Sequence, residues 1–314
     1  MNDLVITDRS YLDKSRGTIN HDLYERFIAF LDASPKTIET YTRNLRQFFK
    51  YLSQNYISDP KREDIISYRE YLKQDLKLKP TTVQSYIVVV RSFFQWTSQE
   101  GIYPNVADKV KGAKISTQHK KDPLTTNQAK DIISSFDRST EAGARDYAIF
   151  SLMITGGLRD IEVQRASLED LRILGDDTVL YIQGKGREEK SDYVKIPHPV
   201  EKAIREYLKL RTGIKASDPL FSSTSNNNRG GRLTTRSISG IVKKAFKASG
   251  YDSDRLTAHS LRHTAGTLNL LNGGSLEDTQ QLLRHSNINT TMIYLHHIDR
   301  AKNQSEERIA GALF

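Results

Sequence analysis

The sequence of 314 residues contains no cysteine. Disulfides, thiolate zinc sites and a cysteine nucleophile are therefore excluded. The chain also lacks an apolar run long enough to span a bilayer. Its first residues do not combine a basic stretch with an apolar core, as a secretory signal would. These absences predict a cytoplasmic protein that has no membrane partner.

Apolar and charged residues are both abundant. Hydrophobic residues make up 37% of the chain and charged residues 27%, with 15 Tyr and 11 Phe. This composition can bury a core, and the length suits two domains. The formal charge of +9 favours a polyanionic partner, nucleic acid first among them. Many basic proteins bind nothing anionic, so charge alone leaves that question open.

The first 110 residues read as a helical domain. Ser34 is suited to cap a helix whose first turn contains Pro35, and Pro80 is suited to begin another. Apolar residues then recur at spacings of three and four, as in amphipathic helices. One such series ends with Leu72 and Leu76. The pattern predicts a bundle of about four helices.

Short polar and cationic side chains interrupt these apolar series. Such groups can bond phosphates and base edges, although an ordinary solvated helix surface has the same composition. Residues 111–122 add a lysine-rich segment without periodic apolar positions, which indicates an exposed basic linker. The candidate DNA-contact residues are Lys36, Thr37, Arg43, Arg46, Thr81, Thr82, Arg91, Lys120 and Lys121.

Residues 123–300 predict a second, larger domain. Most of it shows helical periodicity, but residues 179–182 and 193–196 read as two strands joined by a turn that contains Gly184 to Arg187. The predicted fold class is therefore mainly α with a small antiparallel β-sheet. Residues 301–314 form a C-terminal tail that ends in an apolar cluster.

Four segments of the second domain carry groups suited to phosphate chemistry. Arg159 follows a glycine pair, and Glu162 lies one helical turn further on, where it could orient the guanidinium. Lys185 lies at the tip of the predicted hairpin, where it could reach a bound strand. Taken alone, each group is also typical of an ordinary surface.

The other two segments contain histidines. His259, Arg262 and His263 occupy one face of a predicted helix. A zinc site there is disfavoured, because no carboxylate lies between the histidines and the guanidinium would repel a cation. The last segment contains His285 and, nine residues later, Tyr294.

In this order, the four segments resemble the tyrosine recombinase (phage integrase) family, of the Xer-like or mobile-element type. The matching text is TGGLRDIE, GKG in a hairpin, HSLRH and LLRHSNINTTMIYLH. The resemblance covers nearly all of the chain. It implies a SAM-like core-binding domain in residues 1–110 and a catalytic domain in residues 123–300, which together clamp DNA. One departure is Arg284, where the family usually has glycine before the histidine.

The resemblance also implies a mechanism and its residues. Tyr294 would be the nucleophile that forms a 3′-phosphotyrosine and releases a 5′-hydroxyl. Arg159 and Arg262 would bind the non-bridging oxygens, with Glu162 in support. His259 and His285 would bond the phosphate, and Lys185 would protonate the leaving oxygen. No metal or other cofactor is required for this chemistry.

The partners implied are specific recombination sites on double-stranded DNA and further copies of the chain. Four protomers would act on two duplexes through a Holliday junction, with residues 301–314 docking on a neighbour. Chromosome dimer resolution, integration or excision of a mobile element, and inversion would all use this set, with or without accessory proteins. The alternatives are a type IB topoisomerase, which relaxes supercoils without sequence preference, and a non-catalytic DNA-binding regulator.

Overall fold

The computed structural model describes residues 21–115, 121–184 and 189–314. The chain divides into two compact units, the N-terminal unit up to residue 118 and the C-terminal unit from residue 119 onward. This boundary falls inside the basic segment 111–122. Over the described ranges, every helix is too short or too polar to cross a membrane.

The described part of the N-terminal unit contains four helices, as the periodicity predicts. They are α1 (His21–Leu31), α2 (Pro35–Gln54), α3 (Arg62–Gln74) and α4 (Pro80–Gln99). The hydroxyl of Ser34 accepts a hydrogen bond from the backbone N–H of Thr37 at 3.4 Å, and a proline begins both α2 and α4. The prediction that Leu76 belongs to the apolar series of α3 is wrong. The helix ends at Gln74, before Leu76, and Leu76 is 39% exposed.

Aromatic rings dominate the core of the N-terminal unit. Phe48 and Tyr68 pack edge to face with ring centroids 5.0 Å apart, and Phe27 and Phe93 do so at 5.3 Å. All four are fully buried. Such ring pairs add specific geometry to the burial of apolar surface. The four helices therefore pack around one aromatic core.

The C-terminal unit contains nine helices and three strands in its described part. Strand β1 (Leu171–Leu174) pairs with β2 (Asp177–Ile182), which pairs with β3 (Asp192–Lys195), all antiparallel. The predicted hairpin is β2 and β3, and the fold class is confirmed. The helices are α5 (Thr126–Ser134), α6 (Glu141–Gly156), α7 (Asp160–Arg165), α8 (His198–Lys209), α9 (Thr235–Ala248), α10 (Ala258–Leu271), α11 (Leu276–Leu283), α12 (Asn289–Lys302) and α13 (Ser305–Leu313).

Strand β1 was not predicted from the sequence. Three of its four residues are exposed, so burial produces no alternating pattern along it. Its position is set by pairing, with Leu171 opposite Leu180 and Leu174 opposite Asp177. Gly175, whose φ is 60°, lies in the turn between the two strands. Register of this kind depends on a partner strand and not on local composition.

Helix α6 is central in the C-terminal unit. Every residue from Ala148 to Ile154 is buried, and all but Ser151 are apolar, so this stretch of the helix is buried on all sides. Helices α8, α9 and α10 pack around it. A helix of this kind belongs in the middle of a core. The end of α6 consequently lies deep in the unit, beside α10 and the end of α11.

Candidate active site

Gly157 ends α6 in a left-handed conformation, with φ of 57°. A Cβ at this position would lie 2.7 Å from Cδ2 of Leu283, which is closer than real contacts allow. Glycine therefore permits both the turn and the close approach of α11. The carbonyls of Gly156 and Gly157, at the C-terminal end of α6, accept hydrogen bonds from arginine side chains.

Arg159 lies at the N-terminal cap of α7 and is bound to Glu162. The backbone N–H of Arg159 donates to Oε2 of Glu162 and its Nη1 donates to Oε1, both at 2.8 Å. Burial acts to raise the pKa of Glu162, but the charge of Arg284 and the bonds from Arg159 outweigh it and hold the pKa below its ordinary value. Glu162 is therefore an ionised group that orients the Arg159 guanidinium.

Arg262 on α10 is almost completely buried, at 1% exposure. Its Nη1 donates to the carbonyl of Gly157 and its Nη2 to the carbonyl of Leu283. Burial, and then the nearby charges of Arg159 and Arg284, lower its pKa to about 9. The side chain therefore remains charged at neutral pH, although it is removed from water.

His285 follows the end of α11. Its Nδ1 lies 2.9 Å from Oγ1 of Thr291, a fully buried residue. Burial, and then the charges of Arg262 and Arg159, lower the pKa of His285 to about 4. The imidazole is therefore uncharged near neutral pH, and Thr291 orients its ring.

Tyr294 on α12 is 5% exposed. Its ring centroid lies 5.3 Å from that of His263 and 6.4 Å from that of His285. A Cβ on Gly266 would lie 3.5 Å from Cε1 of Tyr294 and 2.9 Å from Cδ1 of Leu283, so glycine lets α10 approach these helices closely. Burial raises the pKa of Tyr294 to about 12 against the opposing charges of the arginines.

The side chains of this region surround a cavity of about 450 Å³. Four of the lining residues are Lys or Arg, and none is Asp or Glu. Such a cavity is suited to a phosphate-sized anion. Its lining residues are Lys121, Arg159, His259, Arg262, His263, Arg284, His285, Ser286, Thr290 and Tyr294.

The structure thus brings together most of the catalytic residues that the sequence suggested. Arg159, Arg262, His285 and Tyr294 line the cavity, as does His259, which is exposed on α10. Lys185 lies outside the described residues, and so does Lys120. Lys121 lines the cavity and donates to the carbonyl of Asp254 at 2.7 Å. The remaining DNA-contact candidates are exposed in the N-terminal unit: Lys36, Thr37, Arg43, Arg46, Thr81, Thr82 and Arg91.

Sequence reasoning missed the contacts that Thr291, His263 and Arg284 make in the site. Thr291 bonds His285, and His263, first considered only as a metal ligand, packs against Tyr294. Arg284 has φ of 52°, the left-handed region that explains why glycine is usual there. Its side chain forms an ion pair with Glu162 at 2.9 Å. Glu162 lies 122 residues from Arg284 in the sequence, whereas Thr291 lies only six residues from His285. The only sequence signal for any of these contacts was the arginine at position 284, where the family usually has glycine.

Comparison with protein families finds two matching models. The Phage integrase family matches residues 122–300, and the Phage integrase N-terminal SAM-like domain matches residues 22–101. Tyrosine recombinase XerD of Listeria monocytogenes is 31% identical over 290 residues, 88% of this chain and 94% of that relative. Tyrosine recombinase XerC of Caldanaerobacter subterraneus is 34% identical over 200 residues, 62% of this chain and 52% of that relative.

Solved structures share the fold. The XerH site-specific recombinase bound to a palindromic difH substrate, in a post-cleavage complex, has a TM-score of 0.71 at 20% identity, over 96% of this chain and 91% of that one. The Tn1549 transposon integrase in complex with a circular intermediate DNA has a TM-score of 0.69 at 19% identity, over 87% and 93%. Both similarities extend over most of each chain.

Proposed function

The chain belongs to the phage integrase family of tyrosine recombinases, and we propose that it cuts DNA through a covalent bond to Tyr294. Its activity is site-specific DNA recombination, by strand cleavage and transfer. The observation that carries the assignment of residues is the convergence of Tyr294, Arg159, Arg262 and His285 around one cationic cavity.

In the proposed step, Oη of Tyr294 attacks the phosphorus of a DNA phosphodiester. The bond from phosphorus to the 5′ oxygen breaks, and the phosphoryl group remains on the tyrosine as a 3′-phosphotyrosine. Arg159 and Arg262 bind the non-bridging oxygens and stabilise the charge that develops there. Attack by the 5′-hydroxyl of another strand reverses the step and rejoins DNA, so no external energy source is required.

Two proton transfers accompany cleavage. The phenol of Tyr294 is protonated at neutral pH, as tyrosines ordinarily are, and burial raises its pKa further, to about 12. His259, an exposed residue on the cavity wall, is the proposed acceptor of that proton. Lys185 is the proposed donor to the leaving 5′ oxygen. His285 is proposed to hold the phosphate as a neutral hydrogen-bonding group, consistent with its low pKa of about 4.

The proposed substrate is duplex DNA with specific sites, in the cytoplasm. The exposed cations and hydroxyls of α2 and α4 are proposed to contact it, with Lys121 near the cleaved phosphate. Lys120 stays in the proposed set as a prediction from sequence.

Assembly is proposed to involve the C-terminal tail. Ile309 and Leu313 on α13 are 59% and 70% exposed, and Phe314 is fully exposed, so these apolar groups are available to a neighbouring protomer. We propose four protomers on two duplexes. Deletion of residues 301–314 is expected to weaken pairing of two duplexes in gel-shift assays while single-site binding persists. Unchanged pairing would contradict docking of the tail.

The experiment that tests the proposal traps the covalent intermediate. The substrates are nicked duplexes whose sequences come from the DNA that flanks the coding sequence. After cleavage, the short fragment between the cleaved bond and the nick dissociates with its 5′-hydroxyl, and its loss prevents rejoining. The native chain in the presence of a metal chelator is expected to form an adduct that survives denaturation. Tyr294→Phe keeps the ring and removes only the nucleophile, so it is expected to bind the same DNA without an adduct.

Two outcomes would contradict the proposal. An adduct that persists in Tyr294→Phe would assign the nucleophile to another residue. Sequence-specific binding by the native chain without an adduct on any bound duplex would support the regulator instead.

A further inference from the structure

Arg284 is held in a conformation that glycine would adopt more easily. It ends α11 with φ of 52°, the left-handed region that disfavours a residue with a Cβ. Its Nε is buried and has no hydrogen-bond partner among the described residues. Both features oppose stability, so the presence of arginine here calls for another reason.

The Arg284 guanidinium connects two segments of the site. Its Nη1 donates to the carbonyl of Leu282 at 2.7 Å and to that of Gly156 at 3.2 Å. Its Nη2 donates to Oε2 of Glu162 at 2.9 Å and to the carbonyl of Gly157 at 3.2 Å. One planar group thereby joins the end of α11 to the segment between α6 and α7.

Two of these contacts, those with Glu162 and Gly157, lead to residues that line the cavity. Glu162 binds both the backbone and the side chain of Arg159. The Gly157 carbonyl also accepts from Arg262. His285 is the next residue in the chain. We propose that Arg284 is a positioning residue that holds Arg159 and His285 in place for DNA cleavage, an inference that rests on the proposed function.

Neither glycine nor lysine at position 284 could position Arg159 and His285 as the arginine does. Glycine would relieve the left-handed turn but would leave Glu162 bound to Arg159 alone. Lysine would keep a positive charge, but a single ammonium cannot reproduce the planar fork that reaches carbonyls and a carboxylate together. Methionine would keep the bulk and the backbone conformation while removing every donor.

The dependence of cleavage on pH distinguishes positioning from a purely structural effect. The charged groups around Glu162 are Arg159, Arg284 and the more distant Arg262, and Asp192 lies near Arg284. Burial acts to raise the pKa of Glu162, and the charge of Arg284 is the largest single effect that lowers it, ahead of each separate effect of Arg159. Without Arg284 the carboxyl would accept a proton at higher pH and release Arg159, so cleavage would fall at acidic pH where the native chain remains active.

The experiment measures single-turnover cleavage of the nicked duplex, at saturating DNA, across pH. Arg284→Gly and Arg284→Met are expected to cleave about tenfold to hundredfold more slowly at neutral pH, as small misplacements of reacting groups do. As pH is lowered, the cleavage rate of these two variants is expected to fall at a higher pH than the rate of the native chain. This fall in rate on the acidic side is the acid limb of the pH profile. Arg284→Lys is expected to restore the acid limb and part of the rate.

Tyr56→Gly is the matched control. Tyr56 is exposed in the N-terminal unit and also has a left-handed φ, of 51°, so glycine relieves the same strain at a residue that is not part of the cavity lining. This variant is expected to cleave at the native rate. Thermal unfolding of all variants shows which of them keep the native fold.

A Gly or Met variant that melts no lower than the native chain, yet cleaves at its rate, would overturn the inference. If both melt lower, an unshifted acid limb in both would overturn it. Absence of an adduct in the native chain would instead refute the proposed function itself.

Discussion

The two units of this chain bury different kinds of side chain. The described core of the N-terminal unit combines aromatic rings with aliphatic side chains, and its buried polar residues are the uncharged Asn44 and Thr97. The C-terminal unit buries Glu162 and Arg262, and also the side chains of Arg145, Asp170 and His263. The N-terminal unit therefore buries mainly apolar side chains, whereas the C-terminal unit also keeps charges where a phosphate could bind.

The buried charges are tolerated because main-chain groups and counter-charges surround them. Carbonyls at the ends of α6 and α11 accept from Arg262, and Glu162 lies between Arg159 and Arg284. Burying an ion remains costly even when it is paired. The arrangement therefore contributes less to stability than to a concentrated positive charge beside Tyr294.

The largest expected effect on stability is in the aromatic core. Phe48→Ala should lower the free energy of unfolding of the N-terminal unit by about 3–5 kcal/mol, through lost burial and the cavity left behind. Urea unfolding of the full chain measures the change. Val88→Ala, a truncation at a position 39% exposed, is the control and should cost far less. Equal losses would show that this core is not the main source of stability.

The next effect concerns catalysis. Arg262→Met should slow formation of the Tyr294 adduct by about 10²–10³-fold, as removal of a transition-state hydrogen-bond donor does. Arg211 supplies a matched control, because it too donates to two carbonyls, those of Pro219 at 2.9 Å and Leu220 at 3.1 Å, but lies outside the cavity lining. Arg211→Met should cleave at the native rate. Equal slowing would assign both arginines a structural effect only.

A smaller effect links pH to the stability of the C-terminal unit. The folded pKa of His285 is about 4, below its ordinary value of 6.5, so the unfolded chain binds that proton more readily. The contribution of neutral His285 to the free energy of unfolding is complete above about pH 6.5 and is lost as pH falls toward 4. Urea unfolding should show this decline, and His285→Gln should flatten it. The exposed His198→Gln is the control, and an equally flat curve there would contradict the assignment.

The smallest effect tests the surface of the N-terminal unit. Arg46→Gln should lower the slope of log affinity against log salt by about 0.9, if one phosphate contact is lost. Arg205, an exposed residue paired with Glu201 on α8, provides the control, and its replacement by glutamine should leave the slope unchanged. DNA titrations at several salt concentrations measure both. An unchanged slope in Arg46→Gln would remove that residue from the DNA contacts.

Much of the fold follows from local patterns in the sequence. Ser34, Pro35 and Pro80 mark helix starts, and the sequence also predicts the pair of strands on either side of the Gly184 turn. These features depend on neighbours within one or two turns of chain. Strand β1 was not predicted because its exposed residues show no alternation of apolar and polar side chains. Leu76 was assigned wrongly because the helical spacing of apolar residues continues in the sequence beyond Gln74, where the helix ends.

The sequence by itself determined which chemical groups are present and in what order, which was enough to identify the family and to nominate Tyr294. Only the tertiary structure decided how those groups act on one another. Arg284 bonds Gly156 across 128 residues and Glu162 across 122, and no local pattern encodes such pairs. The shifts in pKa at His285 and Tyr294 have the same origin, because burial and the fields of distant charges exist only once the chain has folded.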